Sequence, residues 1–175
     1  IISLTSKFTI TYTGQIYKQQ DPCKILTAIS ELIEENEIVK DDFELRFYGT
    51  QNPRVNQLVE TLQLERFVKY YGTVGHKEIP KIQMESHILL LFNWEDKREK
   101  TLYSTKIFEY LGAKRNIMAT GGHGKDAIED ILTQTKAGVY TTSIKKIKDK
   151  IKYFLQQYQN GDYIFDGVDE EIAEY

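Results

Sequence analysis

The sequence predicts an α/β fold of three layers, in which helices cover both faces of a mainly parallel sheet of about six strands. Short runs rich in β-branched and aromatic residues alternate with longer runs of helical periodicity along the 175 residues. Three early strand candidates end on a glycine, at Gly14, Gly49 and Gly72. Glycine lets a chain turn sharply and lets a ligand approach the backbone. The length suits a single domain, residues 1–175.

The predicted strands are short runs bounded by glycine, proline or polar residues. The segment 88–92, Ile-Leu-Leu-Leu-Phe, is apolar throughout, which is typical of a strand buried on both faces. The six strand candidates are residues 8–13, 43–48, 67–71, 88–92, 116–119 and 138–142.

Helices are predicted between these strands, where apolar residues recur at intervals of three and four. The first follows Pro22 and the second opens at Pro53, both favourable residues for a helix start. Ser143 is a suitable N-cap for the last clear helix, and Gly161 ends it. The other helix candidates are residues 77–86, 106–112 and 126–135, and the acidic segment 162–175 is expected to be partly ordered.

The composition excludes several classes of protein. There are 23 basic and 26 acidic side chains, a net charge of −3, so the molecule lacks the positive field that binds duplex nucleic acid. Cys23 is the single cysteine, which excludes an internal disulfide and is typical of a reducing compartment, so we expect a cytoplasmic protein. The longest apolar run, residues 88–92, is far shorter than the roughly 20 residues that span a bilayer, and we expect no secretory signal.

The histidines show no spacing typical of metal ligands, and Glu95-Asp96 matches no metal motif, so we expect no metal. His76 and His123 lie in glycine-flanked loops and are expected to be solvated, with contact to a ligand as the alternative. His87 leads into the strand 88–92 and is expected to be a structural residue at the margin of the sheet.

The segment 106–115 places one carboxylate, Glu109, in a helical turn between two strand candidates. In open α/β sheets, ligands bind beyond the carboxyl ends of strands, where helix N-termini offer unpaired N–H groups to anions. Residues 104–119 read Ser-Thr-Lys-Ile-Phe-Glu-Tyr-Leu-Gly-Ala-Lys-Arg-Asn-Ile-Met-Ala. This segment resembles the K-x-x-E-Y-L … G-x-P-I-L-A pattern of family-four glycosyltransferases of the GT-B fold (glycosyl transferases group 1). Shorter similarities at residues 12–14, 47–49 and 71–75 extend the resemblance over nearly the whole chain.

The resemblance implies that the chain is the Rossmann-like, C-terminal, donor-binding domain of such an enzyme, with the N-terminal acceptor domain outside this chain. It implies a nucleoside-diphosphate sugar as co-substrate, no cofactor, and transfer of a hexose with retained configuration to a glycan, lipid-linked or similar acceptor. We expect a bacterial enzyme of polysaccharide biosynthesis at the inner face of the membrane, and we expect the isolated domain to be inactive.

In that family a glutamate in the place of Glu109 binds the ribose hydroxyls, and a carboxylate can accept two charge-assisted hydrogen bonds from a diol. An earlier glutamate of the same motif is replaced here by Thr101. The basic pair that often follows the first strand is replaced by Gln15 and Gln20, and Lys18 is the nearest cation.

The cation for the diphosphate is therefore expected in another place. A lysine about 4 Å from a phosphate contributes about 4 kcal/mol at an effective dielectric of 20 before desolvation, against about 0.3–1 kcal/mol for a helix N-terminus. We predict Lys106 as the catalytic cation that assists departure of the diphosphate, with Lys18 second. The other predicted contacts are Gly14 and Gln15 beside the donor, Ser104 and Thr105 through backbone N–H groups, and Thr73, Val74 and Gly75 near the base.

Simpler interpretations stay open at this point. Glu109 can instead be a solvated helix carboxylate that pairs with Lys106 or Lys114. The glycine-rich run 121–124 matches no phosphate-loop pattern and is expected to be a mobile rim of the donor cleft. The five lysines between 145 and 152 form either a solvated face or a surface for peripheral association with an anionic membrane.

Two other functions also stay open for the whole chain. One is a sugar-nucleotide epimerase of the GT-B fold, which would share the donor domain but not the transfer reaction. The other is a noncatalytic α/β nucleotide-binding or receiver-like module. A receiver requires an acidic cluster at the ends of its first strands, and residues 12–14, Tyr-Thr-Gly, contain none.

Overall fold

The computed structural model of the chain describes residues 2–95 and 104–175. These residues form a six-stranded parallel sheet with the order β3-β2-β1-β4-β5-β6. The predicted α/β fold and its number of strands are confirmed. The strands are β1 (Phe8–Thr13), β2 (Phe43–Tyr48), β3 (Val68–Gly72), β4 (Ile88–Phe92), β5 (Asn116–Thr120) and β6 (Gly138–Tyr140).

The helices begin where the sequence supplies a cap. Side-chain oxygens of Asn52, Asp126 and Ser143 accept hydrogen bonds from backbone N–H groups in the first turn of the helix that follows each of them. A short 3-10 turn, Lys40–Asp42, precedes β2. The α-helices are α1 (Cys23–Glu34), α2 (Pro53–Thr61), α3 (Ile79–Met84), α4 (Lys106–Ala113), α5 (Ala127–Thr135), α6 (Ile144–Asn160) and α7 (Asp169–Ile172).

Helix α3 and strand β6 are each shorter than predicted, and α3 also ends at Met84 instead of residue 86. The bounds of β3, α4, β5 and α5 differ from the predicted ones by one residue. Helix α3 begins at Ile79 instead of residue 77, because the N–H of Gly75 donates to Glu78 Oε2 at 3.0 Å and this bond fixes a turn before the helix. Strand β6 ends at Tyr140 instead of residue 142, because the N–H of Ser143 donates to Thr141 Oγ1 at 3.1 Å and turns the chain towards α6.

Two apolar clusters cover the two faces of the sheet. On one face, side chains such as Ile10 of β1 and Leu45 of β2 pack with residues of α1 and α6. On the other face, Leu89 of β4 and Ile117 of β5 pack with residues of α4 and α5. All five residues of β4 are buried, as the apolar run at 88–92 predicts.

The contact between β1 and α3 is polar instead of apolar. Thr9, Thr11 and Thr13 alternate along β1 and are buried, and we call these three residues the threonine seam. Ser86, which follows α3, donates its hydroxyl hydrogen to Ile82 O at 2.7 Å and can accept the hydroxyl hydrogen of Thr11, whose Oγ1 also lies 2.7 Å away. Gln83 Nε2 donates to Thr13 Oγ1 at 3.2 Å. Hydrogen bonds of this kind offset the cost of burying the polar groups.

The lysine-rich face of α6 joins this helix to the end of α1. Lys148 lies 2.8 Å from Glu31 Oε2 and 2.6 Å from Glu35 Oε1, and Lys152 lies 2.9 Å from Glu37 Oε1. Two of the five lysines are thus paired with acidic groups of the same molecule. In the part of the chain that the structure describes, no helix is long and apolar enough to cross a membrane.

Candidate functional site

The order of the strands creates a topological switch point between β1 and β4. From β1 the chain moves outward to β2 and β3, and it then returns to place β4 on the other side of β1. The connections that follow β1 and β4 therefore leave in opposite directions, and a crevice forms at the carboxyl ends of these two strands. Gly14 follows β1, and the N-terminus of α4 lies in the connection that follows β4.

Gly14 and Gly49 allow the carboxyl ends of β1 and β2 to approach each other closely. The N–H of Gly14 donates to Tyr48 O at 2.7 Å, and the φ angles of the two glycines are 120° and 139°. A Cβ on Gly49 would lie 2.3 Å from the carbonyl oxygen of Gly14, so a larger residue does not fit without a shift of the backbone. Gly72 also has a positive φ, 72°, but its surroundings are open.

Lys106 is the first residue of α4, and its ammonium group lies against Gly14. A Cβ on Gly14 would lie 2.5 Å from Lys106 Nζ, so glycine makes room for the lysine. Nζ also lies 6.0 Å from the centroid of the Tyr12 ring, the outer limit of a cation–π contact. Within residues 2–95 and 104–175, Lys106 forms no ion pair. A positive charge without a counter-ion among these residues therefore lies at the carboxyl end of β1.

Glu109 lies one turn further along α4, and its side chain is tied to α3. Its Oε2 accepts a hydrogen bond from Gln83 Nε2 at 3.2 Å. Lys114, one alternative partner, instead pairs with Asp169 of α7 at 2.9 Å. Among the described residues, no ion pair joins Glu109 to Lys106, the other alternative partner. The interpretation of Glu109 as a helix carboxylate paired with either lysine therefore has no contact to support it.

The first turn of α4 offers backbone donors. Lys106 N–H donates to Ser104 Oγ at 3.4 Å, and Ile107 N–H donates to Ser104 O at 3.1 Å. The N–H groups of Ser104 and Thr105 have no acceptor within the described part of the chain. Unpaired N–H groups at a helix N-terminus favour an anion, and the contact of these two residues with a phosphate stays a prediction.

A cleft with a volume of about 230 Å³ lies between α3 and α4. Gln83 and Glu109 are among the residues that supply its polar groups. Pockets that hold a whole small-molecule ligand measure about 300 Å³ or more, so this cleft fits part of a larger ligand. The other lining residues are His76, Ile79, Pro80, Met84, Gly112 and Ala113.

Gln20 has a structural role in the loop after β1. Its side chain is 3% exposed, its Nε2 donates to Phe92 O at 2.9 Å, and its Oε1 accepts from the N–H of Tyr17 at 3.0 Å. These bonds tie the loop to the end of β4, and a lysine in this place would bury a charge. Gln15 and Lys18 are exposed in the same loop.

The loop predicted to lie near the base leads into the cleft but does not line it. Thr73 and Gly75 are exposed and Val74 is partly buried, between β3 and α3. The lining begins at the next residue, His76, which the sequence predicts to be solvated. Thr101, in the place of the earlier glutamate of the motif, lies outside the described residues.

The glycine-rich run 121–124 is braced by hydrogen bonds. The hydroxyl of Tyr140 accepts from the N–H of Gly124 at 2.9 Å and donates to the carbonyl oxygen of Gly121. Glu95 Oε1 accepts from the N–H of Gly122 at 2.9 Å. The run follows β5, and its place at the rim of a donor site stays a prediction.

His87 is a structural residue, as predicted. Its ring is 1% exposed and packs against Phe8 and Tyr163, with ring centroids 5.0 and 5.1 Å away. Residues 2–95 and 104–175 contain no group of three or more histidine, cysteine, aspartate or glutamate side chains that could hold a metal ion.

Gln83, which donates hydrogen bonds to both Thr13 and Glu109, is not among the residues that the sequence predicts for the site. Gln83 follows Ile82 in the short helix α3, and both residues are buried. A polar residue at a core-facing position of a helix was the available signal, but the position could be recognised only once the ends of α3 were known.

The fold and the crevice together define a class of protein, an α/β domain with polar groups gathered at a topological switch point. No family model matches the sequence, and no curated protein matches it significantly. Solved structures do match it, and glycosyltransferases are among them.

The chain is similar to the C-terminal domain of LpcC, a glycosyl transferase group 1 family protein from Francisella tularensis, with 17% identity and a TM-score of 0.68 over 98% of this chain and 87% of that one. It is similar to WaaG, a glycosyltransferase involved in lipopolysaccharide biosynthesis, with 13% identity and a TM-score of 0.70 over 90% of this chain. It is also similar to Anabaena HepE in complex with UDP-glucose, with 12% identity and a TM-score of 0.70 over 96% of this chain. This chain spans 40% of WaaG and 44% of HepE. It therefore has the fold of the C-terminal domain of a GT-B glycosyltransferase.

Proposed function

We propose that this chain binds a nucleoside-diphosphate sugar and is the donor-binding domain of a glycosyltransferase. The observation that carries the proposal is the placement of Lys106 and Glu109 on one helix at the switch point, with Gly14 leaving room for the lysine. A cation and a carboxylate one helical turn apart match a ligand that contains both a diphosphate and a diol.

The diphosphate is assigned to the N-terminus of α4. Lys106 supplies the positive charge, the N–H groups of Ser104 and Thr105 supply donors, and Lys18 is a second cation on the loop after β1. When the bond from the sugar to the diphosphate breaks, negative charge develops on the leaving group, and a fixed cation at that point stabilises the transition state. In this proposal these groups supply the charge and no metal is obligatory.

The nucleoside is assigned to the cleft between α3 and α4. Glu109 accepts hydrogen bonds from the ribose hydroxyls at one end of the cleft. The base lies between walls formed by side chains such as Ile79 and Met84, next to the loop that contains Thr73, Val74 and Gly75. Apolar walls with a few polar groups are typical of pockets that hold flat organic rings.

The complete reaction is assigned to a larger enzyme. An N-terminal acceptor domain faces this domain across the donor cleft and binds a glycan or lipid-linked acceptor. WaaG acts in lipopolysaccharide biosynthesis, and HepE has been solved with UDP-glucose, so the proposal extends to bacterial polysaccharide assembly in the cytoplasm, at the inner face of the membrane. We further propose that the sugar keeps its configuration and that the isolated domain does not complete transfer.

Isothermal titration calorimetry of the chain with UDP, GDP and their hexose conjugates tests the proposal. We expect one of these nucleotides to bind, and Glu109→Ala to weaken its binding by at least about tenfold, because charge-assisted hydrogen bonds to the ribose are lost. Glu60→Ala is a matched control, because Glu60 is an exposed glutamate at the other side of the sheet, in α2. If no nucleotide binds at millimolar concentration, the donor-domain proposal is wrong.

A further inference from the structure

Gln83 is a buried amide that connects three elements around the crevice. Its side chain belongs to α3 and the residue is 2% exposed. The single atom Nε2 lies 3.2 Å from Thr13 Oγ1 at the end of β1 and 3.2 Å from Glu109 Oε2 on α4. Hydrogen bonds through Gln83 thus link the exposed carboxylate of Glu109 to the buried end of β1.

The chemistry of the partners fixes which end of the amide faces Glu109. An ionised carboxylate only accepts hydrogen bonds, so the amide nitrogen of Gln83 must point towards it. The nitrogen carries two hydrogens and can donate to Thr13 and Glu109 at the same time. The opposite orientation would set the amide oxygen against the carboxylate oxygen and repel it.

The anchor of this amide is itself held rigidly. The hydroxyl of Tyr110 donates to Leu90 O at 3.1 Å and lies 3.5 Å from Thr13 Oγ1, while the N–H of Thr13 donates to it at 3.4 Å. Tyr110 is fully buried, and burial raises the pKa of its hydroxyl to about 12, so the hydroxyl keeps its hydrogen at neutral pH. The bonds therefore run without a break from β4 through β1 and α3 to Glu109.

This arrangement restricts the conformation of Glu109. A glutamate on an exposed helix surface samples several rotamers, and a ligand that needs one of them must bear the entropy cost of selecting it. The hydrogen bond from Gln83 holds Oε2 of Glu109 in one position before a ligand binds. No hydrogen bond to Oε1 is found within residues 2–95 and 104–175, so this oxygen is left to accept from a ligand.

We propose that Gln83 is a positioning residue, which holds Glu109 in the orientation that binds the ribose hydroxyls of the donor. This inference rests on the proposed function, in which Glu109 contacts the ribose. Gln83 itself contacts Glu109 and not the reacting atoms, so its effect appears in the recognition of the ribose and not in the binding of the diphosphate.

The test compares the affinities of UDP and its 2′,3′-dideoxy analogue, which lacks both ribose hydroxyls, for the wild-type chain and for two variants of Gln83. Gln83→Met keeps the length of the side chain and removes the donor, and we expect the preference for UDP to fall by roughly fivefold to tenfold. Gln83→Glu replaces the donor by a second carboxylate, and we expect a larger fall because the two carboxylates repel each other. The affinity for the dideoxy analogue is expected to change little.

Two further variants separate positioning from general loss of stability. Ser86→Ala removes the hydrogen bonds that Ser86 makes with Thr11 Oγ1 of the threonine seam and with Ile82 O. These bonds do not involve Glu109, so the variant should keep the preference for UDP. Thr13→Val removes the anchor of Gln83 and should reduce the preference even though both Gln83 and Glu109 remain.

The outcomes distinguish this inference from the proposed function. If the wild type prefers UDP, Glu109→Ala abolishes the preference, and folded Gln83 and Thr13 variants keep it, the positioning role is overturned while the ribose role of Glu109 stands. If Gln83→Met and Gln83→Glu do not fold, Thr13→Val decides by the same criterion. If the wild type binds UDP and the dideoxy analogue equally, the ribose role itself is wrong.

Discussion

His87 is expected to make the protein less stable as the pH falls, and the structure gives the size of the effect. The ring is buried, and its Nδ1 accepts a hydrogen bond from the N–H of Thr9 at 3.2 Å. Burial, together with the charges of Arg115 and Arg46, lowers the pKa of His87 from 6.5 to about 4. The folded state therefore binds a proton on this ring much more weakly than the unfolded state does.

The sign of the pH dependence follows from this difference. Above pH 6.5 the ring is neutral in both states and its protonation does not affect stability. Between pH 6.5 and pH 4 the unfolded state takes up the proton first, so stability is lost as the pH falls through this window. From about pH 7.5 to about pH 5 the expected loss is about 2 kcal/mol.

Urea unfolding at these two pH values, for the wild type and for His87→Gln, measures the effect. The glutamine can still accept from the N–H of Thr9 but does not titrate, so the variant should lose about 2 kcal/mol less than the wild type over this range. His76 and His123 are present in both proteins, so any contribution that they make to the pH dependence of stability cancels in the difference. Equal losses in the two proteins would refute the reasoning that burial keeps His87 neutral.

Three further substitutions test the site at single positions. Gly49→Ala should lower the free energy of unfolding by about 3 kcal/mol in urea titrations, because the new Cβ would collide with Gly14 O and the residue has a positive φ. An unchanged midpoint would contradict this. Gly112→Ala, in α4, should raise the free energy of unfolding by about 0.5–1 kcal/mol, because the new Cβ meets nothing within 4 Å beyond its chain neighbours and the backbone of its own helix. A decrease would show that the space is not open. Lys106→Met should reduce the preference for UDP over uridine by about tenfold to hundredfold in calorimetry. The control Lys145→Met, on the exposed face of α6, should leave this preference unchanged. An unchanged ratio for Lys106→Met removes this lysine from the phosphate site.

The sequence predicts the architecture well because the relevant signals are local. The strand at 88–92 is apolar at every position, and the helices after Asn52, Asp126 and Ser143 begin at residues whose side chains cap them. The start of α3 and the end of β6 were missed because single hydrogen bonds in the neighbouring turns determine them.

The candidate site is only partly readable from the sequence. Lys106 and Glu109 lie in one short motif, so their proximity follows from helical spacing. The contact of Lys106 with Gly14 and the bond from Gln83 to Glu109 join residues from distant parts of the chain, and they depend on the strand order, which no local pattern encodes. The structural role of Gln20, which is buried and holds the loop after β1 to the end of β4, likewise depends on a contact between distant parts of the chain.

The central claim is that a nucleoside diphosphate binds at the switch point between β1 and β4. An NMR titration of the ¹⁵N-labelled chain with UDP tests it most directly, because each backbone amide reports on its own surroundings. The account predicts that the largest shift changes occur at Gly14, Thr105, Lys106 and Glu109, and that they are strongly reduced in Glu109→Ala. No shift changes at millimolar UDP, or changes confined to the opposite, amino-terminal edge of the sheet, would contradict the claim.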